Sequence, residues 1–300
     1  MTDWDDLKVF LAVARGESLS RAGRVLKLDA ATVGRRVARL EEALGARFFT
    51  RSPQGYVLTD EGGRLVAHAE AVEGAMERAA EELAGPAEGI SGQIRIGAPD
   101  GCANYLLPQV VAGIMAANPG LEVQIVALPR VFSLTRREAD MVIAVSRPEQ
   151  GRVIARKITD YRLHLAASDS YLHAAPPLGS LADLQAHRVI GYIPDMIFDR
   201  ELDYLADLGV EQPPVASNSV SVQLNLIRQG AGVGVVHDFA LPGVPGVRRV
   251  LTADFSLTRA FWLIRHADDR KVPRIERFAE ALVAGLRAET LRLEAQLQDG

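Results

Sequence analysis

The chain has 300 residues, of which 48% are hydrophobic and 24% charged, and its formal net charge is −4. This composition is typical of a globular protein with room for two or three modules, and it excludes a disordered chain. The N-terminus is acidic where a signal peptide is basic, and no apolar run approaches the roughly 18 residues of a membrane span. We therefore expect a cytoplasmic protein without a membrane partner. A single cysteine, Cys102, excludes an internal disulfide, and the six histidines show no ligand spacing, so we expect no metal and no cofactor.

Three amphipathic segments open the chain, and their spacing predicts helices over 4–14, about 18–26 and 29–45. In the third helix we expect Asp29 to be the N-cap and Gly45 the stop. An apolar stripe predicts its buried face, formed by Val33, Val37, Leu40 and Leu44. The same spacing recurs on the opposite face, with Thr32, Arg35, Arg36 and Arg39. A rigid row of arginines and one hydroxyl fits a DNA major groove.

A β-hairpin is predicted directly after the third helix, with strands over 47–51 and 56–59, and it would form a wing. Residues 15–51 contain nine Lys or Arg against four Asp or Glu, so basic charge is concentrated where phosphates would lie. An arginine face alone is more often a solvated helix surface. Three helices followed by a hairpin favour DNA binding.

Four runs in this region resemble the N-terminal domain of the LysR-type transcriptional regulators: 10–14 (FLAVA), 18–22 (SLSRA), 39–51 (RLEEALGARFFTR) and 58–62 (LTDEG). The resemblance is dense over about the first 65 residues and looser to the C-terminus. It implies a winged helix-turn-helix domain over 1–62. The partners that it implies are double-stranded DNA, a small-molecule effector, a second or further copies in a homodimer or homotetramer, and RNA polymerase.

The chain departs from this family pattern at the recognition helix and at the wing tip. Asp29 and Ala30 stand where the family usually has serine and glutamine, so we assign base readout to Thr32 and Arg35. Gln54 stands at a wing-tip position that is often basic, which leaves Arg51 as the better phosphate ligand. The predicted DNA-binding residues are Ser20, Asp29, Ala30, Ala31, Thr32, Arg35, Arg36, Arg39, Arg51 and Gln54.

A linker with its own periodicity is predicted over 63–91. Its apolar positions follow a heptad-like spacing, which predicts a dimer seam formed by Leu65, Ala69, Val72, Met76, Ala79 and Leu83. Residues 60–88 contain eight acidic and two basic side chains, so this helix is not expected to lie along DNA. The alternative is an amphipathic helix that packs on its own domain. Gly85 and Pro86 are expected to end the helix before a short hinge.

From Gln93 onward the pattern predicts strands that alternate with helices, which is typical of an α/β domain with parallel strands. We predict strands over 94–97, 121–128, 141–145, 163–167, 189–192, 215–217 and 233–237. We predict helices over 106–118, 133–138, 220–229 and 273–298, and the last buries Ile275, Phe278, Leu282 and Leu286.

The overall prediction is an α/β chain with a winged helix-turn-helix, a long linker helix and a two-lobed regulatory domain over 92–300 that resembles periplasmic binding proteins. By this resemblance, lobe I covers about 92–160 and 269–300, and lobe II covers about 161–268. The chain would cross between the lobes near 159–162 and near 263–269, and the last helix would return to lobe I.

Ligands in open α/β sheets bind beyond the carboxyl ends of strands, which places an effector cleft at four strand ends. The predicted effector-binding residues are Pro99, Asp100, Gly101, Cys102, Asn104, Ser146, Arg147, Ser217, Asn218, Ser219 and His237. Hydroxyls, amides and Arg147 suit a carboxylate or phosphate. Asp100 opposes an anion unless it pairs with Arg147 or meets an amine or hydroxyl of the ligand. The alternative is that these residues only cap loops and helices, as Ser217 and Ser219 would do for the helix at Val220.

The sequence therefore predicts a transcription regulator, not an enzyme, whose effector changes the geometry of the DNA-bound state. Two alternatives remain at this point: a two-lobed enzyme fused to a DNA-binding head, and a structural DNA-bridging protein without a ligand. Cys102 is expected to line the effector cleft, and the alternative for this residue is a redox sensor.

Overall fold

The structure is a computed structural model that describes residues 3–52, 55–83, 89–127, 139–148, 153–267 and 272–297. The described residues up to Leu83 belong to one compact unit, and those from Gly89 onward belong to a second. We call the first the head unit and the second the regulatory unit. Within the described ranges, no helix is long and apolar enough to cross a membrane.

The head unit contains the predicted helix-turn-helix, its wing and the long helix that follows. Val33, Val37 and Leu40 are buried as predicted, whereas Leu44 is 45% exposed and was wrongly included in the buried stripe. Leu44 lies in the last turn, next to Gly45, whose left-handed backbone ends the helix as predicted. The elements are α1 (Trp4–Gly16), α2 (Leu19–Leu26), α3 (Ala30–Leu44), β1 (Phe49–Ser52), β2 (Gly55–Leu58) and α4 (Asp60–Leu83).

The turn between α2 and α3 depends on Gly23. The amide of Leu28 donates a 2.8 Å hydrogen bond to the carbonyl of Gly23. A Cβ atom at position 23 would lie 2.5 Å from the carbonyl oxygen of Leu28, so the backbone of the turn approaches α2 more closely than a side chain allows. Lys27 supplies the left-handed residue that redirects the chain. This close turn sets where α3 begins.

The buried carboxylate of Glu41 attaches the wing to α3. Its Oε1 accepts a 2.8 Å hydrogen bond from the amide of Phe48, and its Oε2 accepts one of 2.8 Å from the Arg47 guanidinium. Phe48 in turn packs in the core of the head unit against Phe10. The wing therefore has a fixed position relative to α3.

The regulatory unit is built on one mixed sheet with helices packed on it. Within the described ranges, nine strands join in the order β4-β3-β5-β11-β6-β9-β7-β8, with β10 paired to β6. The strands are β3 (Gly92–Ala98), β4 (Leu121–Ala127), β5 (Met141–Ala144), β6 (Val153–Ser168), β7 (Val189–Gly191), β8 (Val215–Ala216), β9 (Val233–His237), β10 (Val247–Arg249) and β11 (Leu257–His266). The helices are α5 (Asp100–Tyr105), α6 (Leu107–Ala117), α7 (Asp169–Ala174), α8 (Val220–Arg228) and α9 (Pro273–Ala295).

The parallel pairs that were predicted occur at the two ends of this sheet. β3 pairs in parallel with β4 and β5, and we call this half, with α5, α6 and α9, lobe I. β7 pairs in parallel with β8 and β9, and this half, with α7 and α8, is lobe II. The predicted helix over 106–118 is preceded by a separate short helix, α5, where a loop was expected. The predicted helix over 133–138 lies outside the described residues.

Two long strands connect the lobes, and the sequence prediction missed most of both. β6 has 16 residues where a five-residue strand was predicted, and β11 was not predicted at all. They pair in antiparallel register from Leu257 opposite Leu163 to His266 opposite Val153, with an irregularity between Phe261 and Trp262. The sheet is therefore mixed rather than parallel, and β11 overlaps the predicted second crossover at 263–269.

The last helix returns to lobe I, as expected. Ile275, Phe278, Leu282 and Leu286 are all buried along α9. A Cβ atom at Gly285 would lie 2.5 Å from Cγ1 of Val110 in α6, which shows how closely these two helices approach. Lobe I therefore contains both the first strand and the last helix of the regulatory unit.

Candidate DNA-binding and effector sites

A chain of hydrogen bonds orders the polar side chains at the start of α3. Oδ1 of Asp29 accepts a 2.8 Å hydrogen bond from the amide of Thr32, and Oδ2 accepts one of 2.7 Å from the Thr32 hydroxyl. Nη2 of Arg35 donates to the same hydroxyl at 2.7 Å. These two hydrogen bonds from Thr32 hold the pKa of Asp29 below its usual value. Asp29 is thus the predicted cap, and it also positions the two side chains to which base readout was assigned.

The other two arginines of the predicted face are bound to α1. Arg39 donates through both Nε and Nη2 to the two carboxylate oxygens of Asp6, a side chain that is only 3% exposed. This pairing raises the pKa of Arg39. Arg36 lies 3.7 Å from the Asp5 carboxylate. Arg39 therefore contributes to the packing between α1 and α3. Thr32 and Arg35 instead form hydrogen bonds within α3 and with its N-cap.

The remaining predicted DNA contacts that the structure describes lie on α2, on α3 and in the wing. Ser20 on α2 and Ala31 on α3 are exposed, and Ala30 is half-buried. Arg51 lies in β1 opposite Tyr56, one residue pair before the wing turn. It is exposed, donates to the Tyr56 hydroxyl at 3.2 Å and lies 5.7 Å from the centre of that ring. Gln54 lies outside the described residues.

The predicted dimer seam is divided by the structure into two parts. Ala69 is completely buried in the core of the head unit and Leu65 packs against the same core, so the assignment of Ala69 to a seam with a partner is wrong. Its methyl group packs within its own head unit, which is the alternative that the periodicity left open. Val72 and Met76 are 43% and 55% exposed. Ala79 is also exposed, and the side chain of Leu83 lies outside the described residues.

Asp100 joins the two lobes of the regulatory unit. It begins α5 in lobe I, and its Oδ2 atom accepts three hydrogen bonds of 2.9 Å from lobe II: from the hydroxyl of Ser219, and from the amide and hydroxyl of Ser221. Ser219 is the N-cap of α8. A carboxylate of the protein itself therefore occupies the helix N-terminus that was predicted to attract an anionic effector.

His237 of lobe II packs against Gly101, the residue that follows Asp100. A Cβ atom at Gly101 would lie 3.1 Å from Cε1 of His237 and 3.2 Å from Cγ2 of Val220. The imidazole is buried, stacks on the Tyr161 ring at 5.4 Å and has Nε2 3.4 Å from the Tyr204 hydroxyl. Burial lowers the pKa of His237 to about 4, although the nearby Asp100 opposes that shift.

Cys102 is completely buried in the regulatory core. The sequence allowed a thiol exposed at a helix N-terminus, where a thiolate is favoured. Instead, burial raises the pKa of the Cys102 thiol, so the neutral and unreactive form dominates. The redox alternative therefore loses its physical basis.

The other predicted effector residues divide between interlobe contacts and local caps. The hydroxyl of Ser146, after β5, donates to the carboxylate of Asp199 in lobe II. Ser217 accepts a hydrogen bond from the amide of Ser219, and Asn104 donates to the carboxylate and carbonyl of Asp100. Arg147 is exposed and makes no hydrogen bond or ion pair with the residues that the structure describes, so it does not pair with Asp100.

A small cavity of about 20 Å³ lies where these strand ends meet, and six of the eleven predicted residues line it: Pro99, Asp100, Gly101, Cys102, Asn218 and His237. The sequence analysis missed its aromatic walls, Tyr192, Tyr204 and Phe261. Tyr192 ends a predicted strand and could have been found by the rule that located His237; Tyr204 and Phe261 carried no such signal. Across the described ranges, no three His, Cys, Asp or Glu side chains are placed to hold a metal ion.

Each of the two units matches a known protein family. Residues 4–63 match the bacterial regulatory helix-turn-helix protein family of LysR type, and residues 87–287 match the LysR substrate binding domain. The chain is 26% identical to the HTH-type transcriptional regulator PtxR of Pseudomonas aeruginosa over 295 residues, covering 96% of this chain and 94% of PtxR.

A second relative agrees with the family match, and a solved structure agrees with the fold. The Mau operon transcriptional activator of Paracoccus denitrificans is 27% identical over 303 residues, covering 98% of this chain and 99% of that protein. A full-length variant of OxyR from Pseudomonas aeruginosa has the same fold, with a TM-score of 0.72, 20% identity, and coverage of 96% of this chain and 98% of that one. Because the two family models together cover most of the chain, this protein belongs to the LysR family of transcriptional regulators.

Proposed function

We propose that the N-terminal end of α3 reads DNA sequence through Thr32 and Arg35, and that Arg36 and Arg39 mainly fix α3 on α1. Two observations support this division: the hydrogen bonds that run from Asp29 through Thr32 to Arg35, and the buried Asp6 carboxylate of α1 that binds Arg39. An arginine held by one neutral hydroxyl can exchange that partner for a guanine edge at small cost. An arginine that neutralises a buried carboxylate cannot leave it without exposing that charge.

We also propose that the effector is sensed where the two lobes meet, at the predicted cleft residues. Asp100 is central to this proposal because it binds three donors of lobe II. A ligand that binds one interlobe arrangement better than another shifts the population of the two states, and about 1–3 kcal/mol of coupling is typical. The carboxylate disfavours an anion at α8 and favours a ligand that brings an amine or hydroxyl to Asp100.

The remaining expectations follow from family membership. LysR regulators bind DNA and small-molecule effectors and are oligomeric, and the curated relatives are transcriptional regulators. For this chain we infer a regulator without catalytic activity that works in the cytoplasm, where its DNA lies, and contacts RNA polymerase. We keep the division into 1–62, 63–91 and 92–300 as the functional one, with Val72, Met76 and Ala79 as the exposed part of the oligomer seam.

The test of the DNA-reading residues compares two arginines of α3. Arg35→Ala is expected to lose about 1–3 kcal/mol of preference for the operator over random DNA, with the thermal midpoint of the head unit unchanged. Arg39→Ala should instead lower that midpoint, because the buried Asp6 carboxylate loses its partner. Fluorescence anisotropy with both DNAs and thermal denaturation give the two readouts.

The matched control is Arg64→Ala, which removes an exposed arginine of α4 that pairs with Glu61 on its own helix. It should change neither sequence preference nor stability. Equal discrimination by the unmodified protein and Arg35→Ala would contradict the proposed reading of α3.

The test of the seam is the double variant Val72→Asp, Met76→Asp. Both side chains are exposed within the described head unit, so the variant should fold, whereas charges placed in a seam should dissociate the oligomer and weaken operator binding. Ala67→Asp, at another exposed position of the same helix, is the control. Light scattering that shows an unchanged oligomer for the double variant would refute this seam and leave the DNA-reading proposal intact.

A further inference from the structure

Lobe II contains a cavity that is much larger than the space between the lobes. The segment after β7 folds back over the sheet and encloses about 550 Å³, within the range of small-molecule sites in proteins. Ile190, Val235 and Leu202 line it and are buried. A Cβ atom at Gly191, another wall residue, would lie 2.4 Å from Cδ1 of Leu205, so the covering segment packs tightly on the strand at that point. We call this cavity the lobe II pocket.

The charged groups of the lobe II pocket all have one sign. Asp203 and Glu211 are exposed carboxylates in its wall, and among the described residues that line it there is no Lys, Arg or His. Tyr192 and Tyr204 add aromatic faces, which attract cations as well as apolar groups. A cavity whose wall combines apolar side chains, aromatic rings and two carboxylates suits a ligand with an apolar body and a protonated amine.

We propose that the lobe II pocket binds a small organic amine with an aromatic or aliphatic body, at a site distinct from the interlobe cleft. The amine is held by Asp203 and Glu211, and the body lies against Ile190, Leu202 and Val235. An anionic analogue of the same shape is excluded by the two carboxylates.

The pocket also has a physical connection to the contact between the lobes. Tyr192, Leu202 and Tyr204 line both the lobe II pocket and the 20 Å³ interlobe cavity. The Tyr204 hydroxyl lies 3.4 Å from His237, the ring that packs against Gly101 of lobe I. A ligand that moves the Tyr204 ring therefore acts on the interlobe contact. This consequence rests on the proposed sensing function, whereas the binding of the amine does not.

The experiment is isothermal titration calorimetry of the full chain with phenethylamine, hexylamine and phenylacetate. We expect both amines to bind, and phenylacetate to bind at least about tenfold more weakly, which corresponds to about 1.4 kcal/mol. Ala206→Trp fills the pocket from an exposed wall position and should abolish amine binding. Ala253→Trp, at an exposed position outside the pocket, is its matched control and should bind normally.

Charge is tested separately with Asp203→Asn combined with Glu211→Gln, which should weaken amine binding about tenfold. Asp207 is an exposed carboxylate in the same segment that does not line the pocket, so Asp207→Asn should leave amine binding unchanged.

Failure of both amines to bind at millimolar concentration, or normal binding by Ala206→Trp, would overturn the proposal. Binding that is lost in Asp100→Ala but kept in Ala206→Trp would assign the amine to the interlobe cleft instead. Failure of the protein to bind operator DNA would contradict the proposed function and leave the calorimetric result as it stands.

Discussion

Asp29 and Asp100 each accept hydrogen bonds from groups at the start of a helix. They differ in the sequence separation between the carboxylate and its donors. Asp29 caps α3 through Thr32, three residues later. Asp100 reaches the start of α8, where its partner Ser221 is 121 residues away in the sequence. The first contact forms as soon as its helix does, whereas the second exists only when two lobes have folded and met.

This difference teaches where regulation can act. A local cap stabilises one helix and responds to little beyond it, because both partners belong to the same turn. When another lobe supplies the cap, the stability of the helix terminus depends on how the two lobes are arranged. Any ligand that competes for Asp100, or for the donors of Ser219 and Ser221, changes that arrangement.

The largest expected effect comes from Asp100→Ala. Loss of a carboxylate that accepts three hydrogen bonds from the other lobe should lower the free energy of unfolding of the regulatory unit by about 2–3 kcal/mol. Amide hydrogen exchange at the start of α8 should increase at the same time, because the Ser221 amide loses its acceptor. Chemical denaturation and hydrogen exchange measure the two effects.

Two matched variants sharpen the comparison. Asp169→Ala removes a carboxylate at the start of α7 whose partner Arg248 is exposed, and should cost no more than about 1 kcal/mol. Asp29→Ala should affect the head unit alone and leave exchange in α8 unchanged. If Asp100→Ala were no more destabilising than Asp169→Ala, the interlobe hydrogen bonds would have no energetic role.

A smaller effect is expected from pH, through His237. The folded pKa of His237 is about 4, against 6.5 for the unperturbed group, so the folded regulatory unit binds fewer protons than the unfolded chain between these values. Its contribution to stability is complete above about pH 6.5 and is lost as the pH falls toward 4. Between pH 7 and pH 5 we expect a loss of about 2 kcal/mol.

Denaturation of the unmodified protein and of His237→Gln, each at both pH values, separates the contribution of His237 to the pH dependence of stability from that of the other titrating groups. The variant should lose less stability on acidification than the unmodified protein does. An identical pH dependence of the two proteins would show that His237 titrates normally in the folded state, and that the interlobe packing around it is open to water.

The smallest effect is expected at Cys102. Because burial raises the pKa of its thiol, alkylation by iodoacetamide should be undetectable in the native protein and complete after unfolding in denaturant. Cys102→Ser should also leave operator binding unchanged before and after treatment with peroxide. Rapid native alkylation would show that the core of lobe I opens, and would restore the redox alternative.

The helix-turn-helix, its cap and its stop were predictable from sequence because their contacts span three or four residues. Val33, Val37 and Leu40 are buried by helical periodicity, and Asp29 and Gly45 act on their own helix. The strand-end rule similarly located Asp100, Gly101 and His237 at the meeting point of the lobes, since parallel strands place their carboxyl ends at one edge.

Tertiary structure alone decided which partner each of these residues has. Helical spacing puts Arg39 on the same face as Arg35, but the fold places Asp6 of α1 beside it. Ala69 satisfied a heptad pattern, yet the head unit buried it. The sequence left Asp100 either paired with Arg147 or facing a ligand, and the folded lobes place it against Ser219 and Ser221 instead. The physical reason is the same in each case: periodicity fixes the direction of a side chain relative to its own element, whereas the group that it meets depends on packing between elements distant in the chain.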